Sequence, residues 1–193
     1  MAVAEAVRAP LVQAADKVGY ALRRQANPGS SGLGADCYVH AALGRELLAS
    51  LGFNARLVVG EAAWGIGEGC GDVISHTPRE KAHSPEGMSP EQMAVAYHAW
   101  LVVNENIVDF TTYQLKRKAR ALDAADGGHI TVTWRPDVLV LPAAGVMGLR
   151  QVAQSHNAGV AFYQEHPELL ELMALMYEVD PDNLTPTRLL LAG

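Results

Sequence analysis

Long apolar runs are missing from these 193 residues. Hydrophobic residues make up 49% of the chain, yet no stretch approaches the roughly 20 consecutive apolar positions that a membrane span requires. A soluble protein with no membrane partner is the expectation. Residues 1–10 alternate Ala and Val around Glu5 and Arg8, without the basic leader or apolar core of a signal peptide, so a cytoplasmic location is expected. Cysteine is scarce: Cys37 and Cys70 are the whole supply, too few for a disulfide framework, and a reducing cytosol would keep both as thiols. Positive charge is also short, with 15 Lys and Arg against 21 Asp and Glu for a formal net charge of -6. That balance argues against a general nucleic-acid binder. The local exception, Lys116, Arg117, Lys118 and Arg120, reads as a solvated helix face ahead of an anion site. No internal repeat or low-complexity tract is present, and a chain of this length fits one domain, 1–193.

What is present is patterned for mixed structure. Val7, Leu11, Ala15, Val18 and Leu22 recur at steps of three or four and predict a helix to about Ala26. Pro10 is expected to break it, because proline suits a first turn and costs about 3 kcal/mol in a helix interior. After a turn-rich loop, Val39, Leu43, Leu47 and Leu51 predict a second helix, N-capped by Asp36 and ended by Gly52. Leu57, Val58 and Val59 mark a buried strand. The next strand expected is Val95 to Val103, with residues 65–92 forming an irregular insertion, either a lid or disorder.

Asn104, Glu105 and Asn106 then make a turn into Val108, Asp109 and Phe110. If the loop is Asn104 and Glu105 alone, Val103 pairs with Asn106, and Asp109 falls on the face of His98, diagonal to it. A three-residue loop would send the acid to the other face. A basic helix follows to about Ala125 and stops at Gly127 and Gly128. Ile130, Val132 and Trp134 predict a further strand, and Val138 to Leu141 another. Beyond Leu149 the pattern predicts a weak helix to about Gln164 and a stronger one from Pro167, apolar on nearly every side. That last helix suits a core, with homo-oligomer contact as the alternative.

Cys37 stands at a helix start, where the dipole favours a thiolate, whereas the Asp36 charge opposes it. A strand histidine and then an acid follow it, the order of a nucleophile, its base and the base's orienter. A buried structural cysteine is the plain alternative. His40, one turn after Cys37, competes as a base but has no acid placed to orient it. Cys70, His76, His83 and His98 match no compact metal spacing, so no metal is expected. The run Gly65, Gly67, Gly69, Gly71 lacks the Lys-Ser/Thr of a phosphate loop and reads as a hinge.

Residues 34–111 resemble the core of the transglutaminase-like superfamily. The likeness rests on Cys37 with Ala41, on Gly52 through Gly60, on His98, Ala99 and Trp100, and on Val108, Asp109, Phe110 and Thr111. It implies an α+β, papain-like fold in which a cysteine-bearing helix packs on an antiparallel sheet, here with extra C-terminal helices. It also implies a catalytic triad of Cys37, His98 and Asp109 that works through an acyl-enzyme without a cofactor. The expected function is a cysteine hydrolase, protease or amidase, acting on a peptide, protein or small amide. The alternatives are an acyltransferase on the same triad or a non-catalytic binding module on the same fold. Gln25 and Trp100 are candidate oxyanion or substrate-binding residues. The Cys37 N–H is the donor named first.

Overall fold

The computed structural model describes residues 2–26, 35–77 and 97–177, with Leu184 and Arg188. Most of the expected insertion, from residue 78 on, lies outside the described residues, and so does the side chain of Asp36.

α1 (Ala2–Gln25) buries Leu11, Ala15, Val18 and Leu22. Pro10 lies inside this helix, against the expected break. The apolar stripe is buried whether or not the preceding turns are helical, so the pattern located the helix without fixing its start. α2 (Ala35–Ser50) buries Cys37, Ala41, Leu47 and Leu48. It closes as expected: Gly52 takes φ 85°, and the Phe53 N–H donates to the Leu48 carbonyl at 3.0 Å, the wrap that glycine permits beyond a helix end.

The sheet begins with β1 (Arg56–Gly65) and β2 (Val73–His76), then β3 (His98–Val103) and β4 (Asn106–Asp109). α3 (Leu115–Asp126) is followed by β5 (Leu139–Pro142), α4 (Leu149–Gln154), β6 (Ala161–Glu165) and α5 (Pro167–Met176). Every pairing is antiparallel, so the class is α+β. β1 is the hub. One of its edges takes β6. Its other edge takes β2 at Ala62 to Gly65 and β3 at Arg56 to Gly60. β2 and β3 are therefore collinear: His76 pairs with Ala62 and His98 with Gly60.

Strand alternation gives the sheet two apolar faces. Leu57, Val59, Ala99, Leu101, Val103 and Val108 pack with residues of α1 and α2. Val58, Ala62, Trp64, Trp100, Ile107 and Tyr163 pack beneath Leu115 and Ala119 of α3. Among the described residues no helix is long and apolar enough to cross a membrane.

Three further expectations fail. Ile130, Val132 and Trp134 form no strand: the N–H groups of Thr133 and Trp134 both turn to the single carbonyl of Ile66, and the Trp134 indole N–H donates to the Pro136 carbonyl at 2.8 Å. The alternation there comes from one buried tryptophan, not from a ladder. The helix expected to reach Gln164 ends at Gln154 and gives way to β6. β2 lies within the stretch read as irregular. The last helix is present, with Met173 buried and Leu175 and Met176 exposed.

Candidate functional site

The turn between β3 and β4 decides where the acid goes. Val103 pairs with Asn106, leaving Asn104 and Glu105 as a two-residue loop at φ 45° and 63°. This is the primed turn whose twist suits a hairpin. Asn106 Nδ2 donates to the Asn104 carbonyl at 2.8 Å and steadies it. Since Leu101 pairs with Val108, Asp109 comes opposite Trp100, on the His98 face and diagonal to His98. His98 Nε2 donates to Asp109 Oδ2 at 2.8 Å.

Asp109 is buried and fully engaged. Its Oδ1 accepts the N–H and the hydroxyl of Thr111, each at 2.9 Å, and its Oδ2 also accepts the Tyr163 hydroxyl at 2.8 Å. Four donors match the roughly four lone-pair sites of a carboxylate. Burial alone would raise its pKa. The His98 charge and hydrogen bond, with Thr111 and Tyr163, overcome this and hold the carboxyl below its ordinary range. The Tyr163 oxygen in turn accepts the Trp64 indole N–H at 2.9 Å. Burial, then the Asp109 charge, pushes the Tyr163 phenol well above its usual value, so it stays a donor.

Two tryptophans fix the imidazole plane. Trp64 meets the ring edge-on with centroids 4.7 Å apart, and Trp100 lies nearly parallel to it at 6.2 Å. Burial disfavours the charged ring, but the charge and hydrogen bond of Asp109, aided by Cys37, raise the His98 pKa to about 9.

Cys37 lies in the first turn of α2 and is 1% exposed. It acts on the His98 ring both by hydrogen bonding and by charge. Asp109 occupies Nε2, which leaves Nδ1 for the thiol. That nitrogen has no well-aligned hydrogen bond among the described residues, so the Cys37 contact is a looser one. The structure thus brings Cys37, His98 and Asp109 together and stacks Trp100 on the histidine. Gln25 closes α1, half-buried. His40 is buried, its Nε2 3.3 Å from the Tyr113 hydroxyl.

His76 is the neighbour of His98 along the sheet face, with ring centroids 5.4 Å apart. Its Nδ1 donates to the Tyr97 carbonyl at 3.1 Å. Burial, followed by the charges of His98 and Lys118, lowers its pKa to about 3, so this ring is neutral. Among the described residues no three His, Cys, Asp or Glu side chains are grouped to hold a metal.

Sequence reasoning gave no role to Tyr163 or Trp64, named Thr111 only as part of a likeness, and weighed His76 only as a metal ligand. A threonine two residues after an aspartate is a recognisable turn signal. Tyr163 and His76 sit on β6 and β2, the two strands that were not anticipated.

No family model matches the chain. No curated protein matches it either. Among solved structures it is similar to a genomics-target crystal structure named only by a project label, with a TM-score of 0.65 and 12% identity, covering 93% of this chain and 78% of that one. Similarity at this identity shows a shared fold, and that name carries no activity.

Proposed function

We propose that this chain is a cysteine-dependent hydrolase of the transglutaminase-like, papain-related type, cleaving an amide or acyl bond through Cys37, His98 and Asp109. The observation that carries the reading is the buried His98–Asp109 pair, 2.8 Å apart, with the other imidazole nitrogen left for a cysteine in the first turn of a helix. A structural histidine rarely needs an acid satisfied by four donors behind it and a thiol in front. Perturbed titratable groups gathered in this way are a physical signature of catalytic sites.

The chemistry follows from these contacts. The Cys37 sulfur attacks the carbonyl carbon as a thiolate, forming a C–S bond while His98 holds the proton on Nδ1. The oxyanion faces the first turn of α2, where the Cys37 N–H is the leading donor and Gln25 a second candidate. His98 passes its proton to the leaving amine, the C–N bond breaks, and a thioester remains. Water then attacks the thioester as His98 Nδ1 takes its proton, and the acid departs with Cys37 regenerated. Asp109 stays ionised throughout and orients the ring. An amine in place of water would make the same site an acyltransferase.

One observation favours a second reading, a binding module with an inert thiol: Cys37 is 1% exposed, and structural cysteines are buried in this way. Limiting iodoacetamide near neutral pH, followed by peptide mass spectrometry, separates the two. The hydrolase reading expects alkylation of Cys37 that is lost in His98→Ala. Equal and negligible labelling in both folded proteins favours the binding module.

A further inference from the structure

Beside His98 lies a small cavity on the α3 side of the sheet, lined among others by His76, His98, Thr112, Gln114 and Lys118. Two of its lining groups, Lys118 and His98, are basic, His98 already paired with Asp109 behind it, and no lining residue carries a carboxylate. Lys118 was expected on a solvated helix face together with Lys116, Arg117 and Arg120. Those three are exposed, whereas Lys118 is half-buried and turned to the cavity. Among the described residues no acid pairs with it: burial lowers its pKa to about 8, and the charge of Cys37 opposes this only in part. A partly desolvated cation without a counter-ion costs free energy that a bound anion would offset.

Gln114 adds a second polar end. Its Nε2 donates to the Tyr113 hydroxyl at 3.1 Å, while its Oε1 is buried without a partner. Turned over, the amide would accept from the Tyr113 hydroxyl and offer N–H donors where its unpartnered oxygen now lies. The volume decides what could enter: about 10 Å³ is room for roughly one water-sized group. An oxygen atom of an anion fits, and a side chain does not.

We infer that Lys118, with Gln114, is the subsite for a carboxylate borne by the leaving amine, so that the substrate's cleaved bond is the one that releases a C-terminal amino acid. The side of the site follows from the chemistry. His98 hands its proton to the departing nitrogen, so that nitrogen must lie next to His98, and the cavity adjoins His98 rather than Cys37. The cleavage balances as before: the C–N bond breaks, the C–S bond forms, and the His98 proton leaves on the amine of the released amino acid. The inference rests on the hydrolase reading for the subsite's role, but the binding of a carboxylate at Lys118 is testable without turnover.

The test uses the full chain carrying Cys37→Ala, with N-acetyl-alanyl-alanine as the acid and its C-terminal amide as the control. The Lys118 ε-methylene signal is followed by NMR during titration. The expected result is tighter binding of the acid by roughly tenfold to a hundredfold, the span of one charge-assisted hydrogen bond. Displacement of the lysine signal should accompany it, and Lys118→Met should bring the two ligands to parity. A third ligand, an amide with aspartate at its last position, binds like the plain amide if the α-carboxylate is the group read. Equal binding of acid and amide, or a preference that survives Lys118→Met, overturns the subsite. Iodoacetamide labelling of wild type runs alongside: an inert Cys37 with an intact acid preference would sink the hydrolase reading and the leaving-group role while leaving an anion site at Lys118.

Discussion

Nε2 of His98 and Oδ2 of Asp109 lie 2.8 Å apart at a place where neither side chain is more than 2% exposed. The pair fixes which imidazole nitrogen faces Cys37. Asp109→Asn tests this. An asparagine can still accept from Thr111 through its oxygen, but its amide would present N–H groups to His98 and Tyr163. The imidazole would then turn an unprotonated Nε2 to it and carry its proton on Nδ1, leaving no base for the thiol. The expected outcome is a fall of roughly two to four orders of magnitude in the rate of Cys37 alkylation or of turnover, with the far-ultraviolet circular dichroism unchanged.

The two-residue turn at Asn104 and Glu105 sets the face on which the acid appears. One glycine inserted between them would carry Asp109 to the opposite face and abolish the reaction. Glu105→Gly keeps the register and relieves a left-handed non-glycine residue at φ 63°. It should stabilise the protein by about 0.5–1 kcal/mol, less than the roughly 1–2 kcal/mol strain because glycine also loosens the unfolded chain. The midpoint of urea unfolding measures the second effect and activity the first.

Stability should depend on pH on both sides of the pair. The folded pKa of His98, about 9, lies above its ordinary 6.5, so its contribution is complete below about 6.5 and lost as pH rises through 9. Asp109 is held below its ordinary 3.8, so its contribution is present above that value and fades as pH falls through the folded pKa. Urea unfolding at intervals from pH 2 to 10 should show the acid decline in wild type, and an alkaline decline that is much reduced in His98→Gln.

Gly60 stands across from His98, and a Cβ there would come within 1.9 Å of the Gln164 carbonyl oxygen. Backbone cannot step aside as a side chain does. Gly60→Ala should cost about 1–3 kcal/mol or more, and by pushing β6 outward it should draw Tyr163 away from Asp109. Thermal unfolding reports the first effect. A lower affinity of His98 for its proton, by NMR titration, is not expected, since the Asp109–His98 bond remains.

The hairpin that carries His98 and Asp109 was legible in the sequence because its information is local. A two-residue turn, alternating apolar residues and the parity of Asp109 relative to His98 together specify one register. The supporting shell was not. β6 has only Ala161, Phe162 and Tyr163 buried in succession, a run too short to tell a strand from a helix. Its place beside β1, and with it the Tyr163 hydrogen bond, is a tertiary fact. β2 is four residues long among glycines. Trp134 imitates a strand by alternation, although its backbone bonds lead to a single carbonyl of Ile66. Lys118 shares a charge cluster with three solvated neighbours, and only its place on α3 relative to the sheet distinguishes it.

The collinear strands have a consequence for variation. His76 and His98 are partners of β1 residues two apart, although 22 positions separate them in sequence. Thr77 followed directly by His98 would continue one unbroken strand with every side chain still on its present face. The phase of β2 relative to β3 is therefore set by their common partner β1 rather than by the length of chain that joins them. Variation in the sequence between the two strands leaves the spacing of His76 and His98 on one face as β1 dictates it.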